Sequence, residues 1–198
     1  MGRPTAFDRN EKLMLAMKLF WKQGYERTSM QDLIDTLGIN RFSLYNTFGD
    51  KQTLFHQAAA LYQEKVFAEL LRPLLDAPPG TTGKDRILNY LDNACQKLCA
   101  PSGALGCLMQ NMALERGQDD AMLRTLLQQQ HATLENALKA ALEDAKNEDC
   151  LATPPDTGQA ACHIMTCVQG LIFFRKAGTA PDKIRAQFEY LKTEIQNG

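Results

Sequence analysis

Apolar residues recur at helical spacing along most of the chain, and short glycine- or proline-containing segments interrupt them. The clearest pattern lies between Thr28 and Lys51, where two apolar stripes flank a break at Gly38-Ile39-Asn40. Residues three or four positions apart share one helix face, so each stripe predicts an amphipathic helix. Two helices joined by so short a turn form a helix-turn-helix. The stripes are Met30, Leu33, Ile34 and Leu37, then Leu44, Tyr45 and Phe48.

Capping signals agree with this arrangement. Thr28 followed by Gln31 is the pattern of a capping box at the start of the first helix. Gly38 can adopt the left-handed conformation that ends this helix, and Asn40 can cap the next one. Asp50 is placed to cap a third helix. The sequence therefore predicts where each helix of the motif begins and ends.

The second helix of the motif, about Arg41 to Phe48, is too short to be stable alone in water. Its polar side chains are not needed for packing. A short, rigid helix that presents hydrogen-bonding groups suits a DNA major groove. From the pattern alone, an ordinary helical hairpin in a bundle remains the alternative. The polar positions are Arg41, Ser43, Asn46 and Thr47.

Helical periodicity continues to the C-terminus, and no stretch alternates with the period of a strand. A long helix is predicted from Lys51, with Pro73 able to kink its end. The predicted fold class is all-α. An N-terminal three-helix domain with the helix-turn-helix, 1–50, precedes a larger C-terminal helical domain, 51–198. Further helices are predicted at about 8–23, 84–100, 105–117, 119–149, 156–177 and 181–196.

Several residues around the turn resemble the N-terminal domain of the tetracycline-repressor (TetR) family of regulators. The similarity lies in Gly24-Tyr25, Thr28, Leu37-Gly38 and the spacing of Tyr45, Phe48, Lys51 and Leu54. Beyond the N-terminal domain it rests on length and helical layout. The resemblance implies a homodimeric transcriptional regulator of double-stranded operator DNA. It further implies a repressor that a small-molecule effector releases.

The resemblance and the helix ends together predict phosphate contacts. Thr28 and Ser29 lie at a helix N-terminus, where backbone N–H groups favour phosphate. Lys51 begins the next helix, and Tyr45 is expected to place its ring at the core edge and its hydroxyl on a phosphate.

Base contacts are predicted from the second helix of the motif. Arg41 is the best candidate for a guanine edge and Asn46 the second. Phe42 could touch a thymine methyl or shield the helix. Arg3 belongs either to an arm in the minor groove or to a disordered terminus. Asn40, Ser43 and Thr47 complete the predicted DNA-binding set.

Composition is that of an ordinary globular chain: 198 residues, 44% hydrophobic and 23% charged, with a net charge of −1. Residues 1–51 carry eight Lys or Arg against six acids, or +2, and the remainder carries fourteen against seventeen, or −3. Phosphate contact depends on the local field, so this weak asymmetry has the expected direction. We see neither a membrane span nor a signal peptide, and predict a cytoplasmic protein without a membrane partner.

No phosphate-binding loop, nucleophile elbow or metalloenzyme spacing occurs, so no catalytic site, metal or cofactor is predicted. Two cysteine groups, Cys95 with Cys99 and Cys162-His163 with Cys167, could hold a soft metal, but buried thiols are common in cores. The alternative functions are therefore a helical ligand- or metal-binding protein without specific DNA binding, and a thiol redox enzyme.

Cys107 stands apart because it lies at the start of a predicted helix, where the positive helix end favours a thiolate. Several TetR-like repressors have a similar Gly-Cys-Leu segment at this place. Cys107 is thus either a sensing thiol for an electrophile or oxidant, or a structural one. Tyr62, Phe67 and Tyr90 belong to an aromatic interior that suits a moderately apolar effector, although such residues are also ordinary core.

The last two predicted helices are the most apolar, and a helix that is apolar nearly all round is buried on both sides. One side can face this chain's core and the other a second copy. Family members dimerise through these helices as a four-helix bundle. The predicted dimer interface comprises Ile164, Leu171, Phe174, Phe188 and Leu191.

Overall fold

The computed structural model describes residues 7–151 and 156–197, which form helices and turns without a strand among them. The all-α prediction is confirmed, and the helices begin and end within a few residues of their predicted bounds. Arg3 and its predicted minor-groove contact lie outside the described residues. In chain order the helices are α1 (Arg9–Gln23), α2 (Met30–Leu37), α3 (Arg41–Phe48), α4 (Lys51–Tyr62), α5 (Ala68–Leu75), α6 (Gly83–Cys99), α7 (Leu108–Arg116), α8 (Ala121–Asn147), α9 (Thr157–Lys176) and α10 (Pro181–Asn197).

The long helix predicted from Lys51 is interrupted. A π-helical segment, Gln63–Phe67, separates α4 from α5, and α5 continues through Pro73. A further 3₁₀ segment, Pro101–Leu105, precedes α7. None of the described helices is both long and apolar enough to cross a lipid bilayer.

The chain folds into two compact units. One contains the residues up to Val66 together with Cys107–Leu127, and the other contains Phe67–Gly106 and the residues from Gln128 onward. The sequence analysis placed a boundary between residues 50 and 51 to separate a DNA-binding from an effector-binding domain. That functional boundary stays a prediction. The helix-turn-helix, α4 and α7 therefore belong to a single unit.

An aromatic cluster forms the centre of the first unit. The Phe20 and Phe55 rings meet edge to face with centroids 5.3 Å apart, and the Tyr25 and Phe55 centroids are 5.1 Å apart. Of the seven apolar stripe residues of α2 and α3, Tyr45 is exposed although its ring was expected at the core edge, two are half-buried, and four are buried in the same unit. They are Leu33, Leu37, Leu44 and Phe48. Packing of this kind holds the short α3 in place, since it could not be stable alone.

Most of the predicted caps are present. Gly38 ends α2 in the left-handed conformation, with φ 62° and ψ 33°. Asn40 accepts a hydrogen bond from the Ser43 N–H at 2.8 Å, and Asp50 accepts one from the Thr53 N–H at 2.7 Å. These local signals set both ends of the turn, and they were readable from the sequence.

The cap predicted for α2 is wrong by one residue. Ser29 caps this helix and Asp32 completes the capping box, with the Ser29 N–H donating to the Asp32 carboxylate at 2.8 Å. Thr28 is fully buried and its hydroxyl donates to the Gly24 carbonyl. Because that hydroxyl is turned inward, only the next side chain can reach the free N–H groups of α2.

In the second unit, α6 packs against α5 and α10. Pro73 lacks an N–H group, so the Glu69 carbonyl has lost its usual partner in the helix. Asn93 of α6 replaces that partner, because its side-chain amide donates to the Glu69 carbonyl at 3.0 Å and to the Leu70 carbonyl at 3.2 Å. This bond lets α5 continue past a proline.

Asp120 is a buried acid at the start of α8. Its carboxylate accepts a hydrogen bond from the Leu123 N–H at 3.0 Å and lies 2.7 Å from His56 Nε2. Burial raises the pKa of Asp120, but the hydrogen bonds from His56 and Leu123 outweigh it and hold that pKa below its ordinary value. The ionised form is therefore favoured in the folded protein.

Asp120→Ala should lower the free energy of unfolding at pH 7 by about 2–3 kcal/mol, because charged hydrogen bonds are lost. The pKa is lower in the folded state than the unfolded value of about 3.9, so the contribution is complete above that value. It is lost as the pH falls through the folded pKa. Urea unfolding at pH 7 and pH 3 should show the difference shrinking, and an equal difference at both pH values would contradict this account. Asp119→Ala, at the exposed neighbour, is the matched control.

Candidate nucleic-acid interface

One face of α3 is buried and the other is open to solvent. Leu44 and Phe48 point into the core, whereas Arg41, Phe42, Tyr45 and Asn46 are exposed, with Phe42 75% accessible. The Arg41 guanidinium lies 5.8 Å from the centroid of the Tyr45 ring, a distance at which cation and ring attract. The exposed face therefore combines hydrogen-bonding groups, a cation and an apolar ring.

The other side chains predicted to contact DNA differ in their exposure and in whether they already form hydrogen bonds within the protein. Asn40 is exposed but its side chain is engaged as the cap of α3, and Ser43 and Thr47 are half-buried. Ser29 is exposed at the start of α2. The buried Thr28 hydroxyl faces the core. The Ser29 hydroxyl is engaged as the cap of α2, because it accepts from the Asp32 N–H at 3.1 Å and donates to the Asp32 carboxylate at 2.7 Å.

Lys51 is the first residue of α4 and is half-buried. Its ammonium group lies 4.2 Å from the centroid of the Tyr25 ring. Burial is the main cause that raises the pKa of Tyr25, so the ring stays neutral at physiological pH. Tyr25 therefore packs in the core and also positions Lys51.

Two residues of α7 contact the turn between α1 and α2, and the sequence analysis did not identify either of them. Glu115 accepts hydrogen bonds from the N–H groups of Tyr25 and Glu26, and Arg116 forms an ion pair with Glu26 at 2.8 Å. These partners are about ninety positions apart in the chain, and no periodicity or cap signal relates them. Only the tertiary fold brings them together.

Tyr62 and Cys107, two of the predicted effector residues, lie in contact in the first unit. Cys107 occupies the N-cap position of α7 and is buried, and the Tyr62 hydroxyl donates a hydrogen bond to its sulfur at 3.5 Å. Burial and, secondly, Cys107 raise the pKa of Tyr62 well above its ordinary value. The Tyr62 hydroxyl therefore remains a donor towards the sulfur.

The other two predicted effector residues, Phe67 and Tyr90, belong to the second unit and are buried there. The Tyr90 hydroxyl has no hydrogen-bond partner among the described residues. Burial raises the pKa of Tyr90, so it too remains a neutral donor. A buried donor without a partner costs free energy, and a ligand acceptor would remove that cost.

The predicted dimer residues divide into two groups. Ile164, Leu171, Phe188 and Leu191 are buried inside the second unit, so their side chains belong to its own core. Phe174 is 56% exposed. Two further aromatic side chains of α9 and α10 are also exposed. They are Phe173 and Tyr190.

Within each of the two cysteine groups, two potential metal ligands lie close together. The sulfurs of Cys95 and Cys99 are 3.9 Å apart, and the Cys167 sulfur lies 3.7 Å from His163 Nε2. Burial, followed by the effect of Cys99, raises the pKa of Cys95 to about 11. Among the described residues no group of three potential ligands is arranged to hold a metal ion.

Comparison with known proteins gives matches over nearly the whole chain. Residues 13–58 match the family model of bacterial regulatory proteins of the tetR family. Residues 83–190 match the model of the tetracyclin repressor-like C-terminal domain. The HTH-type transcriptional regulator YezE of Bacillus subtilis (strain 168) is 32% identical over 93% of this chain and 94% of its own length.

A second relative and a solved structure connect the fold with DNA. The HTH-type transcriptional repressor ComR of Escherichia coli (strain K12) is 26% identical over 92% of this chain and 86% of its own. A cysteine mutant of the TetR family regulator CifR, complexed with a 26-bp operator duplex, superposes with a TM-score of 0.81. It is 26% identical, and the superposition covers 97% of this chain and 98% of that one.

Proposed function

Because the chain belongs to the tetracycline-repressor (TetR) family of bacterial regulators, we propose that it is a cytoplasmic repressor that binds operator DNA as a homodimer. It acts as a regulator rather than as an enzyme. The observation that carries the proposal is the open polar face of α3, held rigid by a buried apolar face. The ends of α2 and α4 lie in the same compact unit.

Each exposed group has a role that its chemistry suits. Arg41 donates two parallel hydrogen bonds to a guanine edge, and Asn46 reads a neighbouring base. Phe42 contacts a thymine methyl. Ser29 and Lys51, with the N-terminal ends of α2 and α4, bind phosphates and fix the orientation on the duplex.

The homodimer forms through α9 and α10. Exposed aromatic rings on these helices supply the contact, in particular Phe174 and Tyr190, which are 56% and 65% accessible in the single chain. Large aromatic side chains dominate the energy of interfaces. Two copies of α3 then reach successive major grooves about 34 Å apart, as a palindromic operator requires.

Lys51→Ala and Arg41→Ala should weaken binding in different ways. Loss of a phosphate contact should weaken all duplexes equally and reduce the salt slope by about one. Loss of Arg41 should remove about 1–3 kcal/mol of discrimination at one base pair. Fluorescence anisotropy over a salt series, with the operator and single-base variants, separates the two. Equal discrimination in Arg41→Ala and wild type would contradict the assigned base contact.

Release follows from chemistry or ligand binding at the effector residues. An electrophile such as a quinone can react with Cys107, where the α7 N-terminus and the Tyr62 hydroxyl stabilise the charge that develops on sulfur. The sulfur bonds to a ring carbon, and the thiol proton and the displaced ring proton end on the two oxygens, giving a hydroquinone thioether. The modified state favours a dimer whose recognition helices no longer match the operator.

Anisotropy with DNA from upstream of its own gene, before and after quinone treatment, tests this mechanism. Cys107→Ser is the control, because the other five cysteines still react in it. Binding that is lost in wild type and retained in Cys107→Ser supports a thiol-sensing repressor. Binding that quinone leaves unchanged in both proteins contradicts the thiol mechanism and points to a reversible ligand.

A further inference from the structure

The turn between α1 and α2 is held by two side chains at the end of α7, which we call the α7 clamp (Glu115 and Arg116). The Glu115 carboxylate accepts one hydrogen bond from the Tyr25 N–H at 3.0 Å and one from the Glu26 N–H at 2.8 Å. The Arg116 guanidinium pairs with Glu26 at 2.8 Å and lies 4.5 Å from the Tyr25 ring centroid. Hydrogen bonds with an ionised acceptor are about twice as strong as neutral ones.

The backbone of the turn is shaped for this contact. Gly24 has φ +86°, and a Cβ at this position would lie 2.8 Å from Glu115 Oε2. Glycine tolerates both the positive φ and the close approach. A side chain at position 24 would displace the Glu115 carboxylate, so the α7 clamp requires a glycine at this position.

The clamped turn leads directly to two proposed phosphate contacts. Ser29 follows Tyr25 by four positions and caps α2. The Lys51 ammonium lies 4.2 Å from the Tyr25 ring centroid. If Tyr25 is displaced, the ring that lies against Lys51 moves, and so does the segment that leads to α2. Both changes matter because phosphate contacts set the register of a protein on its duplex.

We propose that Glu115 is a positioning residue for operator binding, acting through Tyr25 to hold Ser29 and Lys51 where they meet phosphates. The proposal rests on the DNA-binding function proposed above. Because α7 begins next to Cys107 and ends at the clamp, a displacement of α7 by chemistry at that thiol reaches the DNA-binding helices through the same contact.

Glu115→Gln is the informative variant. It keeps the shape of the side chain, but its amide nitrogen faces a backbone N–H and at least one hydrogen bond is lost. Glu135→Gln, at an exposed position of α8, is the matched control with the same change of charge. Removing a negative charge strengthens attraction to DNA. Weaker binding by Glu115→Gln would therefore report geometry and not charge.

Binding is measured by anisotropy on a duplex that the full-length wild-type protein has enriched from a random library. Glu115→Gln should bind about three- to tenfold more weakly, with a salt slope lowered by up to about one because the Lys51 phosphate contact is misplaced. Glu135→Gln should remain within about twofold of wild type and keep the wild-type slope. Affinity equal to wild type in Glu115→Gln would overturn the positioning role. If wild type enriches no duplex, the proposed function itself fails, and the next measurement still tests the hold on the turn.

Amide hydrogen exchange measures that hold without DNA. In Glu115→Gln the Tyr25 and Glu26 amides should exchange about tenfold faster, while the core amides of α1 keep their protection. N-ethylmaleimide, which adds the Cys107 thiol across its C=C bond with the thiol proton ending on the adjacent carbon, should accelerate the same two amides in wild type. In Cys107→Ser, the same reagent should leave the exchange rates of these two amides unchanged. Unaltered exchange in Glu115→Gln would refute the clamp as a constraint on the turn.

Discussion

Phe174→Arg should convert the homodimer to a monomer and weaken operator binding by about 10²–10⁴-fold, because one protein then engages only one half-site. The side chain is 56% exposed in the single chain, so the change should leave the fold of each subunit intact. Placing a charge in an apolar contact costs far more than the contact contributes. Sedimentation equilibrium gives the mass, and anisotropy gives the affinity.

Leu75→Arg is the control for this prediction. Leu75 is an exposed apolar residue of the same unit, on α5 rather than on α9 or α10. It should remain a dimer and bind the operator as wild type does. A dimeric Phe174→Arg protein with full affinity would show that the two chains meet through another surface.

Phe55→Ala should cost about 3–5 kcal/mol of stability, the range for removing a buried phenylalanine. Phe55 has no exposed surface and its ring touches both Phe20 and Tyr25. The cavity would lie under the helix-turn-helix, so DNA binding should be lost together with the fold. Urea denaturation followed by far-UV circular dichroism measures the change.

Phe42→Ala makes the same chemical change on the exposed face of α3. It should alter stability by less than about 0.5 kcal/mol, as surface substitutions do, while weakening operator binding through the lost methyl contact. If Phe55→Ala lost as little stability as Phe42→Ala, the aromatic cluster around Phe55 would not support the DNA-binding helices.

The sequence predicted the parts of the fold that local chemistry determines. Gly38 and Asn40 set the turn because a left-handed residue and a side-chain cap are needed there, and each choice concerns only its neighbours. The cap of α2 was misplaced because Thr28 and Ser29 are both good cap residues. Which of them faces the core depends on tertiary packing, and the sequence does not contain that information in local form.

Contacts between distant segments could not be predicted in this way. The α7 clamp joins positions about ninety residues apart, and Tyr62 meets Cys107 only after folding. Four predicted dimer residues are buried within the single chain, because the period of a helix gives its apolar face but not whether this chain or a second copy covers that face. The dimer interface itself stays a prediction. Exposure in the structure, and not periodicity, identified Tyr190 as part of the open surface.

Enrichment of duplexes from a random library by the full-length protein is the most direct test of specific DNA binding by the helix-turn-helix. The account predicts an inverted repeat with half-sites one helical turn apart, bound by two subunits about 10³-fold more tightly than shuffled DNA. Arg41→Ala should enrich a repeat that is relaxed at one position of each half-site. A library that stays unchanged after repeated selection, or equal binding to shuffled duplexes, would contradict it.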